Sequence, residues 1–109
     1  MAITLSLKEM EQEEIVARFG ALASRWRAET GMLSSSSARA MHPAYQQIIG
    51  MGPAALPLLL RELERAQEGW FWALKAISGE DPVPPDHRGK RAEMVSDWLQ
   101  WGRNRGYIG

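Results

Sequence analysis

The sequence predicts an all-α protein, a compact bundle of about five helices around one helical hairpin. Three observations favour this class. Apolar residues recur at spacings of three and four over most of the chain, which is the period of an α-helix. Glycine and proline stand at the boundaries of these segments, where they end and begin helices. No stretch shows the alternating pattern, rich in Val, Ile and Thr, that is typical of a β-strand.

Composition limits the class of protein further. A chain of 109 residues is the size of one domain and is long enough to bury its own core. The absence of cysteine excludes disulfide bonds and thiolate metal ligands. No apolar run reaches the roughly 20 residues that span a bilayer, and the early acidic residues differ from a secretory signal. We therefore expect a single helical domain over residues 1–109, located in the cytoplasm and without membrane contact.

The first predicted helix covers residues 7–29, within a first segment of residues 1–31. Ser6 and Glu9 have the spacing of a capping box. An apolar stripe with spacings of four, three and four follows, formed by Ile15, Phe19, Leu22 and Trp26. Gly31 is the expected left-handed end of this helix.

Four consecutive serines, residues 34–37, predict a flexible linker over residues 32–41. Serine side chains compete for backbone hydrogen bonds and therefore disfavour regular structure. A phosphorylation site or a lid is the alternative interpretation of this segment. The sequence favours the plain linker.

A helical hairpin region is predicted over residues 42–79. His42 lies at a cap position before Pro43, which suits the first position of a short helix. Gly52 and Pro53 begin the next helix by the same device. Pro57 lies early in that helix, where it predicts a bend. A turn is expected at residues 67–69.

The fourth predicted helix, residues 70–78, is apolar on nearly every side, so we expect it to be central. Trp72 and Leu74 lie midway along it and should both be buried. Lys75 is either a nucleophile in an apolar setting or extends its ammonium group to water, and the second interpretation is the commoner one. Gly79 should end the helix.

Three prolines within residues 82–85 exclude regular structure from an extended loop over residues 80–89. The last segment, residues 90–109, contains a predicted helix over residues 90–101. Gly102 is its expected end. Tyr107 and Ile108 in the short tail are able to pack back on the helix.

The sequence contains no familiar catalytic or metal-binding motif. His42 and His87 with Glu80, Asp81 and Asp86 are the only candidate metal ligands, and their spacing matches neither a calcium loop nor a zinc-binding histidine pair. No nucleophile elbow and no phosphate-binding loop is present. The sequence therefore predicts a protein that is not an enzyme and that uses no cofactor or metal.

Charge is balanced overall, with 13 basic and 13 acidic residues. Its distribution is uneven, because glutamates collect near the start of the chain and arginine and lysine near the end. Solvated helix faces explain this pattern without a special function. Five tryptophans are unusual for this length. Most should lie in the core, and one or two are candidates for exposed interface anchors.

Three motifs carry a resemblance to a widespread family of small uncharacterised bacterial proteins. They read HPAYQQIIGMG (residues 42–52), WFWALKAISGEDPV (residues 70–83) and WLQWG (residues 98–102) followed by GYI (residues 106–108). The similarity covers residues 19–108. It implies a bacterial or phage source and transfers no activity to any residue. The third and fourth predicted helices also resemble a single HEAT-like repeat, although no second copy follows at the usual period.

These observations favour a non-catalytic protein–protein interaction module, either an adaptor or a small inhibitor resembling an antitoxin. The partner would be another protein, and a homodimer is an alternative. The second hypothesis is nucleic-acid binding by the basic residues of the C-terminal segment. The candidate interaction surface comprises Glu80, Asp81, Asp86, His87, Arg88, Lys90, Arg91, Trp101, Arg103 and Arg105.

Overall fold

The computed structural model describes residues 6–67 and 69–109, and over these residues it confirms the all-α class. No β-strand occurs within the described ranges. They contain six α-helices, which are α1 (Leu7–Thr30), α2 (Ser36–Ala40), α3 (Pro43–Gly50), α4 (Leu56–Ala66), α5 (Phe71–Ser78) and α6 (Arg91–Asn104). Two 3₁₀ helices cover Gly52–Ala55 and Pro85–His87. The chain divides into two units, Met1–Ile48 and Ile49–Gly109.

In the first unit, α1 begins as predicted. The Ser6 hydroxyl accepts a hydrogen bond from the Glu9 amide at 3.1 Å. The predicted apolar stripe is buried at Phe19, Leu22 and Trp26, whereas Ile15 is half-buried. Only the C-terminal part of this long helix therefore contributes to the core.

Trp26 organises the core of this unit. Its indole Nε1 donates to the carbonyl oxygen of Arg39 at 2.8 Å, and the Arg39 guanidinium lies over its ring at 4.6 Å. The Tyr45 ring packs against it with centroids 5.6 Å apart. The residue thus joins α1 to the segments that follow.

The expected left-handed end at Gly31 is wrong. Gly31 has φ −58° and ψ −26°, which is right-handed helical geometry. The Thr30 hydroxyl donates to the Trp26 carbonyl at 2.6 Å, and the Leu33 amide donates to the Thr30 carbonyl at 3.0 Å. The last carbonyl of the helix is therefore satisfied without a left-handed residue.

The predicted linker also needs correction, because α2 lies within it. The Ser35 hydroxyl accepts from the Ala38 amide at 3.3 Å and so caps this short helix. Serine is unfavourable inside a helix but favourable at its N-cap. The hydrogen bonding between serine side chains and the backbone, from which the linker was predicted, therefore starts a helix here. The cap at His42 is confirmed, since its Nδ1 accepts from the Ala44 amide at 3.0 Å.

In the second unit, α4 packs against α5 and α6. Its apolar face is buried through Leu56, Leu58, Leu59, Leu60 and Leu63. The segment that Gly52 and Pro53 begin is a 3₁₀ helix, Gly52–Ala55, and the α-helix itself begins at Leu56. The bend at Pro57 stays a prediction. At the other end, Gln67 adopts a left-handed φ of 50°. The predicted turn includes Glu68, which lies outside the described residues.

The fourth predicted helix is confirmed as α5, and Gly79 ends it with a left-handed φ of 72°. Leu74 is fully buried as expected. The expected burial of Trp72 is wrong, because 47% of this residue is exposed. A helix of eight residues buries one face here, through Ala73 and Leu74, and Trp72 lies on the opposite side.

The expected end of the last helix at Gly102 is also wrong. The helix continues to Asn104, and Gly102 lies inside it. A Cβ atom at Gly102 would lie 2.6 Å from Leu60 Cδ1, so glycine allows α6 to approach α4 closely. The left-handed residue that follows the end of the helix is Gly106, which has a φ of 78°. The amides of Gly106 and Tyr107 donate to the carbonyls of Arg103 and Gly102, which is the Schellman arrangement.

The proline-rich loop is irregular as predicted, with one exception. Residues 85–87 form a single 3₁₀ turn, in which the Arg88 amide donates to the Pro85 carbonyl at 3.3 Å. The fixed φ of proline is compatible with the start of such a turn. Three prolines therefore exclude a long helix and still permit this short one.

Candidate functional site

An open cleft of about 250 Å³ lies in the second unit, between α5, the proline-rich loop and α6. Its lining combines an apolar floor with a charged rim. The residues are Phe71 and Lys75 from α5, Asp81, Val83 and Arg88 from the loop, and Met94 and Trp98 from α6. The cleft thus brings together two of the predicted surface residues, Asp81 and Arg88.

Asp81 organises the rim of this cleft. Its Oδ1 accepts a hydrogen bond from the Val83 amide at 3.1 Å. Its Oδ2 lies 3.4 Å from Lys75 Nζ and 3.6 Å from an Arg88 guanidinium nitrogen. One carboxylate therefore holds two cations beside each other. Asp81 thus pairs with Arg88 across the loop, and Lys75 extends to the surface, as the commoner of its two interpretations predicted.

Aromatic rings form the base of the cleft and the core behind it. Trp98 is fully buried, and its ring meets Trp101 edge to face with centroids 5.2 Å apart. The indole Nε1 of Trp98 has no hydrogen-bond acceptor within the described part of the chain. Such packing holds the Trp98 ring in place behind the cleft.

A second cluster of predicted residues lies at the end of α6. The Glu80 carboxylate accepts from Trp101 Nε1 at 3.4 Å and also pairs with the Arg105 guanidinium. Arg105 lies over the Trp101 ring at 5.4 Å, and Tyr107 stacks on the same ring at 5.5 Å. Trp101 is only 8% exposed. This cluster, which confirms that Tyr107 packs back, holds the tail against α6 and leaves Trp101 little surface to offer a partner.

His87 forms a third local arrangement. Its Nδ1 lies 2.8 Å from an Asp97 carboxylate oxygen. This hydrogen bond raises the pKa of His87 above its ordinary value of 6.5, and the negative charges of Asp97, Glu93 and Asp86 act in the same direction. The contact ties the loop to the middle of α6.

The remaining predicted surface residues are exposed. Lys90 lies 3.9 Å from Glu93 in the first turn of α6, and Asp86 is exposed in the loop. Neither Arg91 nor Arg103 forms an ion pair with any residue that the structure describes. The predicted surface therefore consists of separate clusters rather than one continuous patch.

Trp72 is the residue that sequence reasoning missed. It follows Phe71, which lines the cleft, and precedes Lys75 by less than one helical turn. Ala76, one turn further along, is exposed as well. The spacing of the buried residues Trp70, Ala73 and Leu74 was the available signal, since a helical wheel built on them places Trp72 on another face.

A metal site and a membrane-spanning segment are the two further features to report. Within the described ranges, no group of three or more acidic or histidine side chains is placed to hold a metal ion. None of the described helices combines the length and the apolar character needed to cross a bilayer. Comparisons with known protein families, curated proteins and solved structures find no match to this chain. The resemblances noted in the sequence therefore remain predictions.

Proposed function

We propose that this protein is a non-catalytic protein–protein interaction module, an adaptor or a small antitoxin-like inhibitor of bacterial or phage origin. The observation that carries the proposal is the exposure of Trp72 on α5, the helix that also supplies Phe71 and Lys75 to the apolar cleft. Together they define a binding face, made of Trp72, the cleft and its two rim cations Lys75 and Arg88.

The energetic reason is the cost of leaving this tryptophan in water. A tryptophan buries roughly 150–250 Å² when covered. Covering the exposed 47% of Trp72 would therefore contribute roughly 2–3 kcal/mol at about 25 cal/mol per Å². Contributions of this size are typical of interface hot spots, where tryptophan is enriched.

Nucleic-acid binding is the second hypothesis, and the ion pairs weaken it. Lys90 and Arg105 each lie within 4 Å of a carboxylate, and Arg88 shares the carboxylate of Asp81 with Lys75. Partial neutralisation of this kind lowers the number of cations free to contact phosphates. Arg91 and Arg103, which are exposed, are too few for tight binding by phosphate contacts alone.

The proposal is tested by affinity capture from a nuclease-treated lysate of the source cells, followed by calorimetry with the purified partner. The wild-type protein should retain a partner that Trp72→Ala loses, because the main anchor is gone. The Met41→Ala variant is the matched control, since it removes an exposed apolar side chain from the other unit. It should bind like the wild type.

Two results would contradict the proposal. One is equal binding of the purified partner to the wild type and to Trp72→Ala. The other is a partner that is lost on nuclease treatment and restored by added nucleic acid, which would put the second hypothesis first.

A further inference from the structure

We propose that the cleft binds an apolar side chain that is carried next to a carboxylate, in an acidic segment of the partner protein. The inference rests on the proposed function and specifies the chemistry of the partner. It follows from the size of the cleft, its apolar floor and the charge on its rim.

The floor and the volume suit one side chain. The half-buried side chains of Phe71 and Met94 supply apolar surface around a space of about 250 Å³, and the buried Val83 and Trp98 complete its lining. A dry apolar cavity of about 150 Å³ is large enough for benzene. One aromatic or large aliphatic side chain therefore fits the cleft, with room left for the group beside it.

The rim has more positive than negative charge. Lys75 and Arg88 share the single carboxylate of Asp81, so these three residues carry one net positive charge. Asp81 also binds the Val83 amide through its other oxygen. This bond holds Asp81 in the loop, where its carboxylate positions the two cations. Its single negative charge is not enough to neutralise both of them.

Both cations retain donors for a ligand. The side chains of Lys75 and Arg88 are 53% and 65% exposed. Each approaches Asp81 through one nitrogen atom, at 3.4 Å for Lys75 and 3.6 Å for Arg88. Lysine has three N–H donors and arginine five. A second carboxylate arriving at the rim would find unoccupied donors on both sides.

This combination distinguishes the occupant from the alternatives. A phosphate backbone would use the cations and leave the apolar floor unfilled. A neutral apolar segment would fill the floor and leave the cations without partners. An acidic segment with an apolar side chain satisfies both parts of the cleft, as charge complementarity in protein interfaces requires.

The test is a ¹H–¹⁵N NMR titration of the full chain with 3-phenylpropionate, compared with the neutral isostere 3-phenylpropanamide. The signals to follow are the backbone amides of the lining residues and the indole N–H of Trp98. We expect saturable shifts with the carboxylate at millimolar concentration, in keeping with the low affinity of a small ligand. The amide should bind about two- to fivefold more weakly, which is the effect of an exposed ion pair.

Charge variants make the test specific. Arg88→Gln and Lys75→Gln should each weaken binding of the carboxylate about two- to fivefold and leave binding of the amide unchanged. Arg103→Gln is the matched control, because it removes the same charge from an exposed arginine outside the cleft. It should leave both titrations unchanged.

Each of three results would overturn the inference. They are equal affinity for the carboxylate and the amide, no shift at the lining residues, and shifts at these residues on raising the protein concentration alone, which would make a second copy the occupant. The proposed function has a separate test. If Trp72→Ala abolishes partner binding while the titration shows no preference for charge, the interaction stands and only the chemistry assigned to the cleft fails.

Discussion

Gly102 and Gly20 both lie inside α-helices but face different surroundings. A Cβ atom at Gly102 would meet Leu60 Cδ1 at 2.6 Å and Ile108 Cγ1 at 3.3 Å. Leu60 is fully buried and has little space in which to move. A Cβ atom at Gly20 would have no neighbour within 4 Å. The same substitution should therefore have opposite effects at the two sites.

We predict that Gly102→Ala lowers the free energy of unfolding by on the order of 1 kcal/mol, because overpacking outweighs the better helix propensity of alanine. Gly20→Ala should raise it by about 0.5–1 kcal/mol, since only the propensity changes. Denaturant unfolding monitored by circular dichroism measures both. A stabilised Gly102→Ala variant would show that α4 and α6 do not approach as closely as described.

His87 should make stability depend on pH. Its hydrogen bond with Asp97 raises the pKa of His87 in the folded protein above the ordinary value of 6.5. A raised pKa means that the folded state binds the proton more tightly than the unfolded state. The stabilisation is therefore complete below the ordinary pKa and is lost as the pH rises through the raised one.

We predict that Asp97→Asn brings the NMR titration midpoint of His87 back toward 6.5, and that its loss of stability is larger at about pH 5.5 than at about pH 8.5. Glu29 provides an internal contrast. Its hydrogen bond with His42 lowers the pKa of Glu29, so that contribution is lost as the pH falls instead. A pH-independent loss in Asp97→Asn would contradict the role given to His87.

At the scale of elements, α5 combines core packing with an exposed face. Leu74 is fully buried and Trp72 is 47% exposed. We predict that Leu74→Ala costs about 2–5 kcal/mol of stability, as truncations in a core do. Trp72→Ala should melt within about 3 °C of the wild type, because an exposed side chain contributes little. Thermal unfolding followed by circular dichroism compares them, and similar losses in both variants would contradict the assignment of the two faces.

The helices in which apolar residues recur at helical spacing were predictable from the sequence, and so were the caps at Ser6 and His42. Other features depended on contacts between segments distant in the sequence. Gly102 has the local pattern of a helix end, and only the contact with Leu60 explains why α6 carries a glycine there. The exposure of Trp72 depends on which face of α5 meets α4. Asp81 and Arg88 were both predicted to lie on a surface, whereas the cleft beside them depends on the packing of α5, the loop and α6.

At the scale of the whole molecule, net charge is zero, and several cations of the C-terminal segment are already paired with carboxylates. We predict no sub-micromolar binding to mixed single- or double-stranded DNA or RNA at physiological salt. Fluorescence anisotropy with labelled oligonucleotides measures this. Tight binding that weakens steeply with salt, and that is lost when Arg88, Lys90 and Arg91 are replaced by alanine, would reverse the order of the two hypotheses.

The central claim is that Trp72 is a solvent-exposed anchor and that the other four tryptophans belong to the core. Their exposed fractions are 47% for Trp72 against 1% for Trp26, 0% for Trp70 and Trp98, and 8% for Trp101. Acrylamide quenching of tryptophan fluorescence tests this claim most directly, with Trp72→Phe compared with the wild type and with Trp101→Phe as the control. The strongly quenched component should disappear in Trp72→Phe and persist in Trp101→Phe. Persistence of that component in Trp72→Phe would place Trp72 in the core and remove the basis of the proposed binding face.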